Sequence, residues 1–213
     1  MTTEQASRRD DVSEDLREAV LRGQFAPRQR LVESELCEEL GASRAAVRDA
    51  LHRLEVEGIV EREHHRGARI REIPLAEAIE IAEVRQLVEG LVARRAAQLA
   101  GPADVDRLTD VGRRMREAVA AGELGEYLEL DAELHAILRE VSGHRTAARV
   151  LERIRGQLVR QRFALARVPG RAAVSLEQHL AVIDAVVAHE PVAAEAAMRA
   201  HIDSVIDTLQ ALG

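Results

Sequence analysis

Between Leu31 and Gly58 two short helical patterns stand on either side of a single glycine, Gly41, in "ESELCEELGASRAAVRDALHRLEVEG". Ser43 has the chemistry of an N-cap, Val47, Ala50, Leu51 and Leu54 fall on one apolar stripe, and Gly58 supplies the stop. A helix, a tight turn and a second helix are therefore expected in direct succession, the arrangement of a helix-turn-helix.

The flanks extend this unit. Residues 1–10 are polar and are expected as a flexible tail, after which Val12, Leu16, Ala19 and Val20 recur at helical spacing up to Gly23. "FAPRQRL" then turns the chain, and "IVEREHHRGARIREI" alternates apolar and polar residues about "HHRG", predicting a two-stranded hairpin with its tip near Gly67. Three helices and a hairpin over residues 11–72 make the winged form of the motif, whose second helix lies in a DNA major groove. The face opposite the apolar stripe carries Ser43, Arg44, Arg48 and His52, and an arginine fork on a guanine edge is worth about 1–3 kcal/mol of discrimination. The tip "HHRGAR" holds no acid and suits phosphate or minor-groove contact. Two arginines on any helix are commonly just solvated, but the cap, the glycine turn and the basic hairpin occur here in the expected order.

Double-stranded DNA is the expected partner in preference to RNA, because Trp is absent, Tyr occurs once and Phe twice, leaving little surface to stack unpaired bases. The formal charge of −7 opposes nucleic-acid binding only if averaged over the chain. All 30 basic residues are Arg, a usage that a GC-rich genome also produces. The lone cysteine, Cys37, excludes an internal disulfide, no signal peptide opens the chain, and no apolar run is long enough to span a membrane. A cytoplasmic protein is expected.

Beyond Pro74 every segment reads as helix: roughly 75–100, 103–121, 124–141, 145–167, 172–189 and 191–211, punctuated by Gly101-Pro102 and Pro169-Gly170. The domain boundaries expected are a linker at 73–76 and an all-α domain over 77–213, with a core of Leu, Val, Ile and Ala. The fold class is mainly α. Within this half "DAELH" sets Asp131 and His135 on one helix face, while His179 and His201 sit among apolar neighbours on the last two helices. One carboxylate and three neutral imidazoles from three helices suit a divalent ion such as Zn²⁺ or Ni²⁺. From spacing alone, hydrogen-bonded or surface histidines are the commoner reading, and His144 and His189, near helix boundaries, are expected to be of that kind.

The stretch "LVESELCEELGASRAAVRDALHRLEVEGIVEREHHRGARI" resembles the winged helix-turn-helix of GntR-family transcription regulators. The segments "EVRQLVEGLVARRAA", "DAELHAILREVSGH", "EQHLAVIDAV" and "AAMRAHI" are similar to the FCD effector domain of the FadR subfamily. The resemblance implies DNA contact by Ser43, Arg44 and Arg48 and a wing formed by His64, His65, Arg66 and Gly67. Ser34 stands where some members carry an arginine, Pro27-Arg28 where the family has Pro-Gly, and Ala45-Ala46 where a Thr-Pro-like pair is frequent. It further implies that Asp131, His135, His179 and His201 hold a metal beside which a small carboxylate effector binds. Arg85 is either a carboxylate clamp opposite that metal or an ion-pair partner of Glu89 or Glu83. A homodimeric repressor on a palindromic operator is the expected function. A metal-dependent hydrolase, or a regulator whose metal is only structural, is the alternative.

Overall fold

The structure, a computed structural model, describes residues 3–63, 67–158 and 164–212. Contacts divide the chain into two compact units, Met1–Pro74 with Glu152–Arg160, and Leu75–Leu151 with Gln161–Gly213.

In the first unit, α1 (Thr3–Leu21) is followed by β1 (Arg30–Leu31), α2 (Glu33–Glu39), α3 (Arg44–Val56), β2 (Val60–Glu63) and β3 (Gly67–Ile70). Ser43 caps α3, its Oγ accepting the Ala46 N–H at 3.3 Å, and Gly58 ends the segment at φ 74°. The apolar stripe of α3 then meets Leu16 and Val20 of α1, Leu36 of α2 and Ile70 of β3 in one core. Burial of that stripe sends the opposite side of α3 outward.

Two expectations change here. The tail expected at 1–10 is helical from Thr3, because no Gly or Pro interrupts the strong helix formers before Gly23. The hairpin is the larger part of a three-stranded antiparallel sheet ordered β1-β3-β2, with Val60 opposite Ile70 and Leu31 opposite Ala68. Two residues of β1 give no alternation to read, yet they cover the free edge of β3. At the step into β1, Arg28 takes the backbone conformation that glycine usually supplies, with φ 62° in the left-handed region, and its N–H donates to Ile70 O at 3.0 Å.

The second unit is built from α4 (Leu75–Leu99), α5 (Pro102–Ala121), α6 (Leu124–Val141), the start of α7 (Arg145–Arg155), α8 (Arg171–Val187) and α9 (Pro191–Ala211). Small residues on α4, among them Ala82, Ala93 and Ala97, are buried and let α9 pack along it. At Gly90 a Cβ would lie 2.8 Å from Arg199 Cγ of α9, so the close approach needs glycine. Leu108 and Met115 of α5, Leu130 and Leu134 of α6, and Val182 and Met198 of the last two helices fill the interior.

Two boundaries move. α4 begins at Leu75, so the connection without regular structure is 71–74 and the linker expected at 73–76 lies partly inside the helix, since Pro74 sits before the first turn and breaks nothing. The helix expected over 145–167 stops as α-helix at Arg155 and tightens into a 3₁₀ turn at Gly156–Leu158. By its contacts Glu152–Arg160 groups with the first unit. Arg153 Nη2 donates to Val56 O at 2.8 Å, Gln157 Nε2 to Glu57 O at 2.5 Å, and a Cβ at Gly156 would collide with Ile59. It thereby satisfies carbonyls left open at the end of α3.

Candidate metal centre and nucleic-acid interface

Three helices of the second unit bring imidazoles together. His135 of α6, His179 of α8 and His201 of α9 are buried, and one ligand atom from each lies within 4.8 Å of the others. His179 Nε2 is 3.2 Å from His201 Nε2 and 3.3 Å from Asp131 Oδ1, and His135 Nε2 is 3.8 Å from the same oxygen. Four ligands at the 2.0–2.1 Å bonds of a tetrahedral zinc site stand roughly 3.3 Å apart. The donor set and its spacing fit a divalent ion.

Each ring's other nitrogen is held from outside. His135 Nδ1 meets Glu89 Oε2 at 3.1 Å, His179 Nδ1 meets Tyr127 Oη at 3.1 Å, and His201 Nδ1 meets Gln178 Oε1 at 3.1 Å. A carboxylate and an amide oxygen can only accept, so His135 and His201 carry their protons on Nδ1 and turn the Nε2 lone pairs inward. Tyr127 can donate or accept. Outer partners of this kind fix the tautomer and orientation of metal-binding histidines.

The electrostatics favour neutral rings at His179 and His201. Burial drives His179 down to about 4, with the nearby His135 and Arg171 charges adding to the depression and Asp131 opposing it. His201 falls well below the ordinary histidine value, through burial first and then its histidine and arginine neighbours. For Glu89 burial alone would raise the carboxyl, but the His135 charge and hydrogen bond, with Arg85 and Arg139, outweigh it and bring it to about 2. An ionised carboxylate therefore holds His135 throughout the physiological range.

Of the residues read from sequence, Asp131, His135, His179 and His201 are brought together. Arg85 lies on the same side of α4 as Glu89 and gives its Nη2 to Glu89 Oε1 at 3.3 Å, the ion pair that was one of its two readings. His144 and His189 are elsewhere, the first accepting the Ala147 N–H on Nδ1 at 3.2 Å and the second 3.1 Å from Ala97 O. Sequence reasoning missed Tyr127, Gln178 and Arg171, and took Glu89 only as a partner for Arg85. A signal existed: Tyr127, Asp131 and His135 recur every four residues on α6, as do Arg171, Ser175 and His179 on α8.

In the first unit Arg44, Arg48 and Ser34 are exposed. Arg48 Nε donates to Glu33 Oε2 at 2.8 Å across the two helices of the motif, and Arg62 Nη2 donates to Arg48 O at 3.3 Å. Ser43 is exposed while its hydroxyl caps α3. Gly67 opens β3 at φ 88°, and His64, His65 and Arg66 lie outside the described residues.

Comparison with known proteins bears on both units. Residues 8–70 match the bacterial regulatory proteins of the gntR family, and residues 80–204 match the FCD domain. The chain is 26% identical over 195 residues to the HTH-type transcriptional repressor RspR of Escherichia coli (strain K12), covering 92% of this chain and 86% of that one. It is 31% identical over 200 residues to the HTH-type transcriptional regulator LutR of Bacillus subtilis (strain 168), covering 82% and 88%. The solved structure of E. coli McbR/YncC shares the fold with a TM-score of 0.85 at 18% identity, over 100% of this chain and 99% of that one.

Proposed function

The chain belongs to the gntR family of bacterial regulatory proteins and carries an FCD domain, and on that premise we propose that it is a homodimeric repressor released from a palindromic operator by a small organic acid bound beside a divalent metal ion. It is a DNA-binding transcription regulator and not an enzyme. Among the described residues no helix is long and apolar enough to cross a membrane.

The observation that carries the ligand-responsive part is the convergence of three Nε2 atoms and Asp131, each ring held from behind by Glu89, Tyr127 or Gln178. Asp131, His135, His179 and His201 would hold Zn²⁺ or Ni²⁺, and such an ion supplies a positive centre for a carboxylate oxygen. Arg85 adds a second cation at the α4 side through Glu89.

The reader is α3, with Arg44 and Arg48 toward base edges, Ser43 and Ser34 toward phosphates, and the wing formed by His64, His65, Arg66 and Gly67 beside the groove. Two copies are needed to read two half-sites. Val84, Leu87 and Leu91 stay exposed along α4, an apolar stripe suited to pairing with a second copy. The acid acts by binding two arrangements of reader and bundle unequally, since only a difference in affinity can move the DNA-competent population. The relatives named as repressors favour release over recruitment.

A duplex selected from a randomised pool by the protein itself tests this in a fluorescence anisotropy titration. Two chains per duplex and weaker binding on adding acetate, L-lactate or succinate to zinc-loaded protein are expected. One chain per duplex, or unchanged affinity with all three acids, contradicts the proposal.

A further inference from the structure

Two polar lanes run through the second unit. On α6 they are Tyr127, Asp131 and His135, and on α8 Arg171, Ser175 and His179, each set spaced by four residues and so on one face of its helix. The lanes touch where Tyr127 meets His179 and Ser175, and where Asp131 meets His179. At the α8 end the lane finishes in a guanidinium. Arg171 is only 7% exposed, its Nη1 donates to Ser204 Oγ of α9 at 2.9 Å, and its Nη2 is buried with no hydrogen-bond partner among the described residues.

A buried arginine stays charged, and a buried charged donor without an acceptor is expensive to keep. A partner that repays the cost offers a planar pair of anionic oxygens, which the guanidinium fork binds bidentately. No described residue supplies it. Arg85 is a poorer anchor, because its Nη2 is already given to Glu89, whose other oxygen holds His135.

We propose that Arg171 anchors the carboxylate of the small acid, with Tyr127, Ser175 and Ser204 as the neighbouring hydroxyls. The proposal rests on the acid-binding reading of the site given above. Its electrostatics link the anchor to the metal ligands. The Arg171 charge acts on Tyr127, Asp131, His179 and His201, so all five share one field. When Asp131 is engaged by a cation it no longer balances Arg171, and an anion lying between them is favoured by both. Acid and cation therefore bind with positive coupling, which is reciprocal.

The test is calorimetric titration of zinc-loaded protein with acetate, L-lactate and succinate, and with uncharged acetamide, in wild-type, Arg171→Gln, Arg171→Lys and His179→Ala chains, each with its zinc content measured. Wild-type binds at least one acid and not acetamide. Arg171→Gln keeps the wild-type zinc content, binds that acid at least tenfold more weakly, and melts no lower than wild-type when acid is absent, because an orphaned charge has been removed. Arg171→Lys, which keeps the charge without the fork, falls between and carries the comparison if Arg171→Gln does not fold. Wild-type affinity in Arg171→Gln at full zinc content, or no acid bound by wild-type, overturns the proposal and leaves the metal site standing. Acid bound undiminished by a zinc-free His179→Ala chain overturns the metal reading and leaves Arg171 as the anchor.

Discussion

His179 Nε2 lies 3.2 Å from His201 Nε2, and both rings are buried. Two imidazoles brought nose to nose in an apolar interior satisfy only one lone pair between them by hydrogen bonding, whereas a shared cation satisfies both.

Replacing one of the pair should therefore remove metal-dependent stability. At a free zinc concentration a hundred times its dissociation constant, binding to the native state alone adds about 2.7 kcal/mol. For a chain of this size that is a rise in melting temperature of about 5–10 °C. Wild-type should show it in a thermal melt and His179→Ala should not. An equal rise in both would place the bound zinc elsewhere.

Glu89 acts one step back. Its Oε2 orients His135 from 3.1 Å, and losing such a partner commonly costs about 10–100-fold in metal affinity. Glu89→Gln should weaken zinc binding within that range in a competition titration against a chromophoric chelator, while a surface change such as Glu117→Gln should leave it alone. Wild-type affinity in Glu89→Gln would contradict the role.

Acid should destabilise the metal-free protein in two successive windows. His179 is depressed from 6.5 to about 4, so the unfolded chain takes up a proton that the native one refuses, and stability present above 6.5 is lost as pH falls toward 4. His201 is lowered as well and acts in the same direction. Glu89, lowered from 4.5 to about 2, continues the loss below 4.5. Urea midpoints of chelator-treated protein should fall steadily on acidification, and a midpoint that rises between pH 6.5 and 4 would refute the assignment.

Ser43 has two separable duties. As an N-cap, its change to Ala should cost about 0.5–2 kcal/mol of stability and its change to Gly only a few tenths. As a DNA contact, both changes should weaken operator binding alike. Arg48→Ala, whose partner in the free protein is Glu33, should lose about 1–3 kcal/mol of discrimination without touching zinc content. Anisotropy and urea unfolding on the same preparations check all three variants.

Much of this was legible in the chain. Periodicity and glycine or proline punctuation located α5, α6 and α9 to within a residue or so, and i,i+4 spacing put Asp131 beside His135. What escaped was local or three-dimensional. β1 is too short to alternate, and the end of α7 packs with the first unit through Gly156 and Arg153, a long-range choice that helical periodicity cannot express. Glu89 and Arg171 escaped because a charge is read as solvated by default, although each falls on the buried face of its helix. A charged residue inside an apolar stripe was the cue.

The most direct test of the central claim is anomalous X-ray diffraction at the zinc and nickel edges from crystals of the purified protein. One ion per chain, bound by the Nε2 atoms of His135, His179 and His201 and by an oxygen of Asp131, is the result predicted. A bundle with no anomalous peak among these four residues after growth with either metal would contradict it.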